Sequence, residues 1–232
     1  MQIVDAFLNK ITMYRLMMYY LIFLVGVAAL LSFAQVLPYD GLDILLEAFY
    51  LVLICRIANE IFSRLFKVKT NIESPIITGL ILASIMGPVN WNPIFFDLAQ
   101  DGFAGMTNEG NGLIPLTAVA VLAMAGKFLI APGKKHIFNP AGFGALATGV
   151  LLGFGASWWV GSQEMFPFIL LGGLLVLKKI RRFKMVGTFL LVVLAISLFT
   201  SPTPSGITNF LLVSPILFFA CVMLPEPLTS PY

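Results

Sequence analysis

Two long stretches without a charged side chain, Tyr19–Leu37 and Gly206–Leu224, set the strongest limit on what this chain can become. Each reaches the ~18 apolar residues that mark a helix able to cross a bilayer. Further apolar segments bring the set to roughly 15–37, 43–63, 75–88, 113–131, 139–160, 166–178, 184–200 and 206–224. The chain is 59% hydrophobic and 11% charged, against about a quarter charged in soluble domains. The pattern predicts an all-α polytopic membrane protein with about eight transmembrane segments, whose main partner is the lipid bilayer. The first run follows Lys10 and Arg15, is too long for a signal-peptide core and has no small-residue cleavage site, so it reads as a spanning helix. A net charge of +3 carries no nucleic-acid signal, because the basic residues lie between apolar runs.

Their placement instead gives a topology. Lys10 and Arg15 precede the first segment, and Arg64, Lys67 and Lys69 follow the second. Lys127, Lys134 and Lys135 close the fourth, and "KKIRRFK" (Lys178–Lys184) follows the sixth. The alternate connections hold Asp40, Asp43, Asp97, Asp101, Glu109 and Glu164, with no lysine or arginine. The positive-inside rule then puts both termini in the cytoplasm, as expected for a multi-pass protein of the cell (inner) membrane. Trp91, Trp158 and Trp159 fall at the opposite boundary, where indole rings favour the headgroup level. The connection Val89–Gly112 is long for a structureless loop and reads as an outer cover or a ligand lid.

The third segment is too short. Pro75 and Pro88 bracket about a dozen residues, which at ~1.5 Å rise cover ~20 Å of a ~30 Å hydrocarbon core. Slid against itself without gaps, the chain places Ser74-Pro75-Ile76 on Ser214-Pro215-Ile216. In the same register Phe49, Leu51 and Val52 fall on Phe189, Leu191 and Val192. The charge pattern gives the matched segments opposite directions, which predicts an inverted repeat with two short broken helices facing one another. Such segments point to a midplane binding site. Helix ends left inside a membrane must meet protein, water or ligand, because their backbone groups cannot go unsatisfied. The expectation is one transmembrane domain over residues 1–232: a first repeat and the start of the fifth helix in 1–140, then the rest of that helix and an incomplete second repeat in 141–232.

Several polar residues stand out against this background. Asn139 fits a helix N-cap and Pro140 the first helical position in "KKHIFNPAGFGALATG". The small residues after them, Gly142 among them, admit another backbone or a flat ligand. Glu73 beside Ser74-Pro75 and Glu226 beside Pro227 flank the broken segments as candidates for ion or polar contact. Arg56 and Glu60, four apart, can pair on one helix face, and Glu60 with Asn59 can serve either structure or an ion path. Lys127 is expected to snorkel to the interface. One histidine, His136, cannot supply the paired axial ligands of a membrane haem. Cys55 and Cys221 read as buried thiols. No Walker A loop, dinucleotide fingerprint, metalloprotease motif or metal-ligand cluster is present.

Four stretches resemble, in order, the RnfD/NqrB family, the flavin-bearing membrane components of the Rnf electron-transport complex and of the sodium-pumping NADH:quinone oxidoreductase. "SPIITGLILASIMGP" resembles the family's "TGLLLAL…PP" segment, and "FNPAGFG" its "FNPA" helix start. "ILLGGLLVLKKIRRFKMVGTFLL" and "FFACVMLPEPLTSP" resemble its glycine–arginine stretch and its "AFFxxTDPVTAP" end-motif. The resemblance covers residues 70 to 232. It implies a flavin-dependent electron-transport subunit that binds flavin or quinone and couples electron transfer to cation transport. The family's covalent FMN hangs on the threonine of an "SGAT" motif, which the corresponding interval "WWVGSQEMFPF" lacks. "SGIT" (Ser205–Thr208) lies a helix too late. The implied flavin (FMN, FAD or riboflavin) is therefore non-covalent, with Ser74, Thr78, Gly79, Asn139, Gly142 and Ser214 as its expected contacts. The implied partners are a cytoplasmic NAD(P)H/flavin reductase domain or subunit and other membrane subunits. A transporter or channel for a small planar solute such as riboflavin, without redox chemistry, is the alternative of a different class.

Overall fold

The computed structural model describes residues 10–94, 112–131, 137–200, 203 and 215–226. Among them every regular element is helical. The elements are α1 (Met13–Phe33), α2 (Gly41–Leu65), α3 (Glu73–Ile85), α4 (Leu113–Leu129), α5 (Pro140–Leu152), α6 (Phe166–Ile180) and α7 (Phe183–Thr200). A 3-10 turn, Trp159–Gly161, precedes α6, and the short α8 (Ile216–Phe218) runs into a π-helical turn, Phe219–Met223. Among the described residues only α1, 21 residues long, is both long and apolar enough to cross a membrane. The 25 residues of α2 have the length, but the helix carries Asp43, Glu47, Arg56, Glu60 and Arg64. The others are shorter, and α3 and α5 have 13 residues each.

The chain forms two compact units, residues 21–158 and residues 1–20 with 159–232. In the first, α2 buries Ile44, Glu47, Ala48, Leu51, Cys55, Ala58 and Asn59, a stripe at helical spacing turned inward. Helix α4 does the same with Leu113, Leu116, Val119, Ala120, Ala123, Met124 and Lys127. Helix α3 is buried on every side from Thr78 to Ile85. A helix so enclosed can meet polar groups only at its ends, so those ends decide whether it is tolerated. Close approach depends on Gly79: a Cβ there would lie 2.7 Å from Val52 Cα and 2.8 Å from Val52 N on α2. The side of Gly79 that the sequence left open to a ligand is occupied by backbone.

Helix α5 starts where Asn139 and Pro140 predict and stops early. The segment expected to run to residue 160 ends at Leu152, where Gly153 takes the left-handed conformation (φ 69°) that suits a glycine C-cap. The chain then passes through residues 154–158 and returns to α3.

In the second unit the Tyr20 hydroxyl donates to the Ile169 carbonyl at 2.8 Å, tying the start of α1 to α6. Leu177, Val186, Ala220 and Cys221 form its apolar centre, with Phe189 and Leu217 packed on it. Cys55 and Cys221 are both free thiols and buried.

Candidate functional site

Both ends of α3 are held by hydrogen bonds, the first through side chains and the second through the backbone of the turn after α5. At its start Asn71 Oδ1 accepts the Glu73 N–H at 3.0 Å, and the Thr78 hydroxyl donates to the Ser74 carbonyl at 3.0 Å. Lys127, from α4, donates to Ser74 Oγ and to Asn59 Oδ1 of α2, each at 2.9 Å. Asn59 Nδ2 donates in turn to Thr70 Oγ1 at 2.9 Å. Lys127 is 6% exposed, which corrects the expectation that its ammonium reaches the interface. Its stem runs inward because α4 turns this face to α2 and α3, where a buried Asn59 oxygen and a half-buried Ser74 oxygen meet the charge. The Lys127 ammonium lies 5.7 Å from the Phe128 ring centroid, and Phe128 in turn packs with Phe62 and Phe66 at 5.7–5.9 Å.

At the far end of α3 the last carbonyls would be orphans in a buried helix. The Ile85 carbonyl accepts the Trp158 N–H at 2.9 Å, and the Ser157 hydroxyl lies 3.4 Å from the same oxygen. Trp158 holds a positive φ of 56° to do so, a conformation costing a non-glycine residue about 1–2 kcal/mol. The early stop of α5 is thus what caps α3.

The chain beyond α3 is fastened by two carboxylates of α2. Glu47 Oε2 accepts the Val89 N–H at 2.8 Å, and Asp43 Oδ1 accepts the Trp91 N–H at 3.1 Å. The Tyr50 and Thr117 hydroxyls meet at 2.6 Å, and the Tyr50 ring stands edge-on to Trp91 at 5.4 Å. Trp91 and Trp159 are each 6% exposed, so their rings lie within protein instead of facing headgroups as the sequence suggested.

The sequence-derived candidates separate into groups. Ser74, Thr78 and Gly79 lie together on α3, where Ser74 joins Lys127 and Asn59. Asn139 caps α5, its Oδ1 accepting the N–H of Ala141 at 3.0 Å and of Gly142 at 3.2 Å. The cap therefore consumes two of the donors that a helix start would offer a ligand. Glu60 faces outward and pairs with Arg64 at 2.7 Å, not with Arg56 as expected. Arg56 donates to the Ile72 carbonyl at 3.2 Å. Glu226, in the other unit, is half-buried after the π turn. Ser214, His136, Ser205–Thr208 and most of the Val89–Gly112 connection lie outside the described residues. Sequence reasoning passed over Glu47 altogether. Its signal was a lone carboxylate on the inward stripe of α2, spaced with Ile44, Leu51 and Cys55. Comparisons with protein-family models, with curated proteins and with solved structures give no match to this chain.

Proposed function

We propose that this chain is a polytopic membrane subunit of a flavin-dependent electron-transport oxidoreductase. It binds flavin or quinone without a covalent bond and receives electrons from a cytoplasmic NAD(P)H-oxidising domain or partner. The membrane part of the reading is supported by the apolar α1 and by the apolar outer surfaces of the other helices. Phe49 and Leu65 on α2 are each 69% exposed, Val150 on α5 is 76% exposed, and Phe199 on α7 is 90% exposed. Apolar side chains presented so densely to water would drive association, whereas in hydrocarbon they are at home. The alternation of basic and acidic connections gives the direction of each crossing, with both termini on the cytoplasmic side. The Ser-Pro match between residues 74–76 and 214–216 is read as the trace of an inverted duplication.

The observation that carries the redox reading is the buried cluster at the start of α3. Lys127, Asn59, Ser74 and Thr78 place a cation, an amide and two hydroxyls inside an apolar body, and Ser74 and Thr78 belong to one of the four stretches that resemble the redox family. Groups of this kind hydrogen-bond the carbonyls of a flavin ring or a quinone, and a cation nearby favours the added electron. Ser74 and Thr78, side by side on the first turns of α3, are the ligand contacts of this reading.

The visible spectrum of detergent-purified protein, before and after acid precipitation, tests the reading. A yellow chromophore released by acid and bleached by NAD(P)H with the reductase partner is expected. A colourless protein that binds added riboflavin without turnover identifies a transporter for a planar solute instead.

A further inference from the structure

Glu47 is 1% exposed, the most enclosed carboxylate among the described residues. Its Oε2 accepts the Val89 N–H, but its Oε1 is buried and meets no hydrogen-bond donor. Among the described residues, no basic side chain of the packed helices faces it. Helix α3 carries Glu73 as its one ionisable residue and α4 carries Lys127 as its one, and these stand at the opposite end of α2, beside Asn59. On α1 the sole charge is Arg15, whereas the part of α1 near the start of α2 is Ala29–Phe33. Residues 89–94 hold no ionisable group. That leaves Asp43, one turn earlier on α2 and bonded to Trp91, and Tyr50, bonded to Thr117. A carboxylate enclosed in apolar protein with one oxygen uncommitted cannot stay a bare anion. Something positive must occupy it.

We propose that Glu47 is an exchange site for a monovalent cation, its carboxyl taking up a proton or a small alkali cation at Oε1. A divalent ion is disfavoured by the donor set, since no group of three acidic, histidine or cysteine side chains gathers among the described residues. Glu47 and Asp43 both fasten the chain that follows α3. Occupancy at Oε1 therefore sits one hydrogen bond from the segment Val89–Trp91, which gives the cation a way to loosen or tighten that segment. The proposal deepens the cation-coupling part of the reading above and rests on it for the cation's use. Its test needs neither flavin nor electron flow, so the two can fail separately.

Buried protonated carboxyls react with apolar carbodiimides, while ionised or cation-filled ones are protected. The intact protein in detergent is treated with dicyclohexylcarbodiimide across pH 5 to 9, with sodium or choline as the added cation, and Glu47 is followed by peptide mass spectrometry. Expected is an adduct on Glu47 whose yield falls at least tenfold as pH rises. If sodium suppresses it a further tenfold and choline does not, the site takes an alkali cation; if both behave alike, the occupant is the proton. A Glu47→Gln variant keeps an acceptor for Val89 N–H and should lose the adduct and any cation-dependent shift in melting temperature. The proposal is overturned if Glu47 goes unlabelled at every pH while denatured protein labels there, or if the yield ignores both pH and sodium.

Discussion

Two segments of this protein begin with the same residues, Ser-Pro-Ile, and arrive at different helices. The first becomes α3, a regular α-helix of 13 residues enclosed by α2 and α4. In the second, the three α-helical residues Ile216–Phe218 give way to five π-helical ones, with Leu224 N–H bonded to the Phe219 carbonyl at 2.9 Å. The difference lies in what each packs against. Helix α3 meets backbone: Gly79 lies on Val52, Lys127 of α4 bonds Ser74 at its start, and the Trp158 N–H caps its last carbonyl. The second segment instead lays its own side chain, Cys221, against Gly173 of α6, where an added Cβ would stand 2.7 Å from Cys221 Cβ and Sγ. A wide turn absorbs an extra residue without breaking the helix, and π turns are found most often where function has a use for them. The lesson is that a shared start sets direction and entry, while the neighbour sets the helix type.

The comparison can be broken by filling the two glycines. Gly79→Ala forces backbone against backbone, so it should cost at least the ~1–3 kcal/mol of an overpacked core and lower the melting temperature in detergent most of all. Gly173→Ala meets Cys221 Cβ and Sγ, each at 2.7 Å, so the π turn must shift with the cysteine; with one residue to displace in place of a helix backbone it should cost less. If the order reverses, the π segment is the more rigidly held of the two. Ser74→Ala comes next: it removes an acceptor from the buried Lys127 ammonium, at about 1.5–3 kcal/mol, and should also weaken flavin or quinone binding. Asn139→Ala strips the cap from α5 and should cost about 1 kcal/mol, read from the same melting curves. Glu60→Gln should change stability by less than ~0.5 kcal/mol, since the Glu60–Arg64 pair is exposed, and 1 M salt should erase even that.

Much of the helical plan was legible. The start of α5 followed from Asn139 and Pro140, because a cap is chemistry between near neighbours. The shortness of α3 followed from Pro75 and Pro88. Its consequences were not legible. Lys127 looked like a snorkelling residue because lysine at a helix end commonly is one, and nothing within a few residues of it reveals Asn59 or Ser74. The early end of α5 was marked by Gly153, but the apolar residues beyond it read as a continuing span. Glu47 was hidden for a related reason: one carboxylate in a long apolar run has no pattern of its own until Val89 N–H arrives beside it.

The sequence alone determined where helices form, how apolar they are and which connections are basic, since hydrophobic spacing, caps and charge act over a few residues. Tertiary structure decided what the buried polar groups do. A hydrogen bond in an apolar interior depends on atoms a few ångströms apart in space, and Lys127 with Ser74, or Glu47 with Val89, are brought together only when the helices pack.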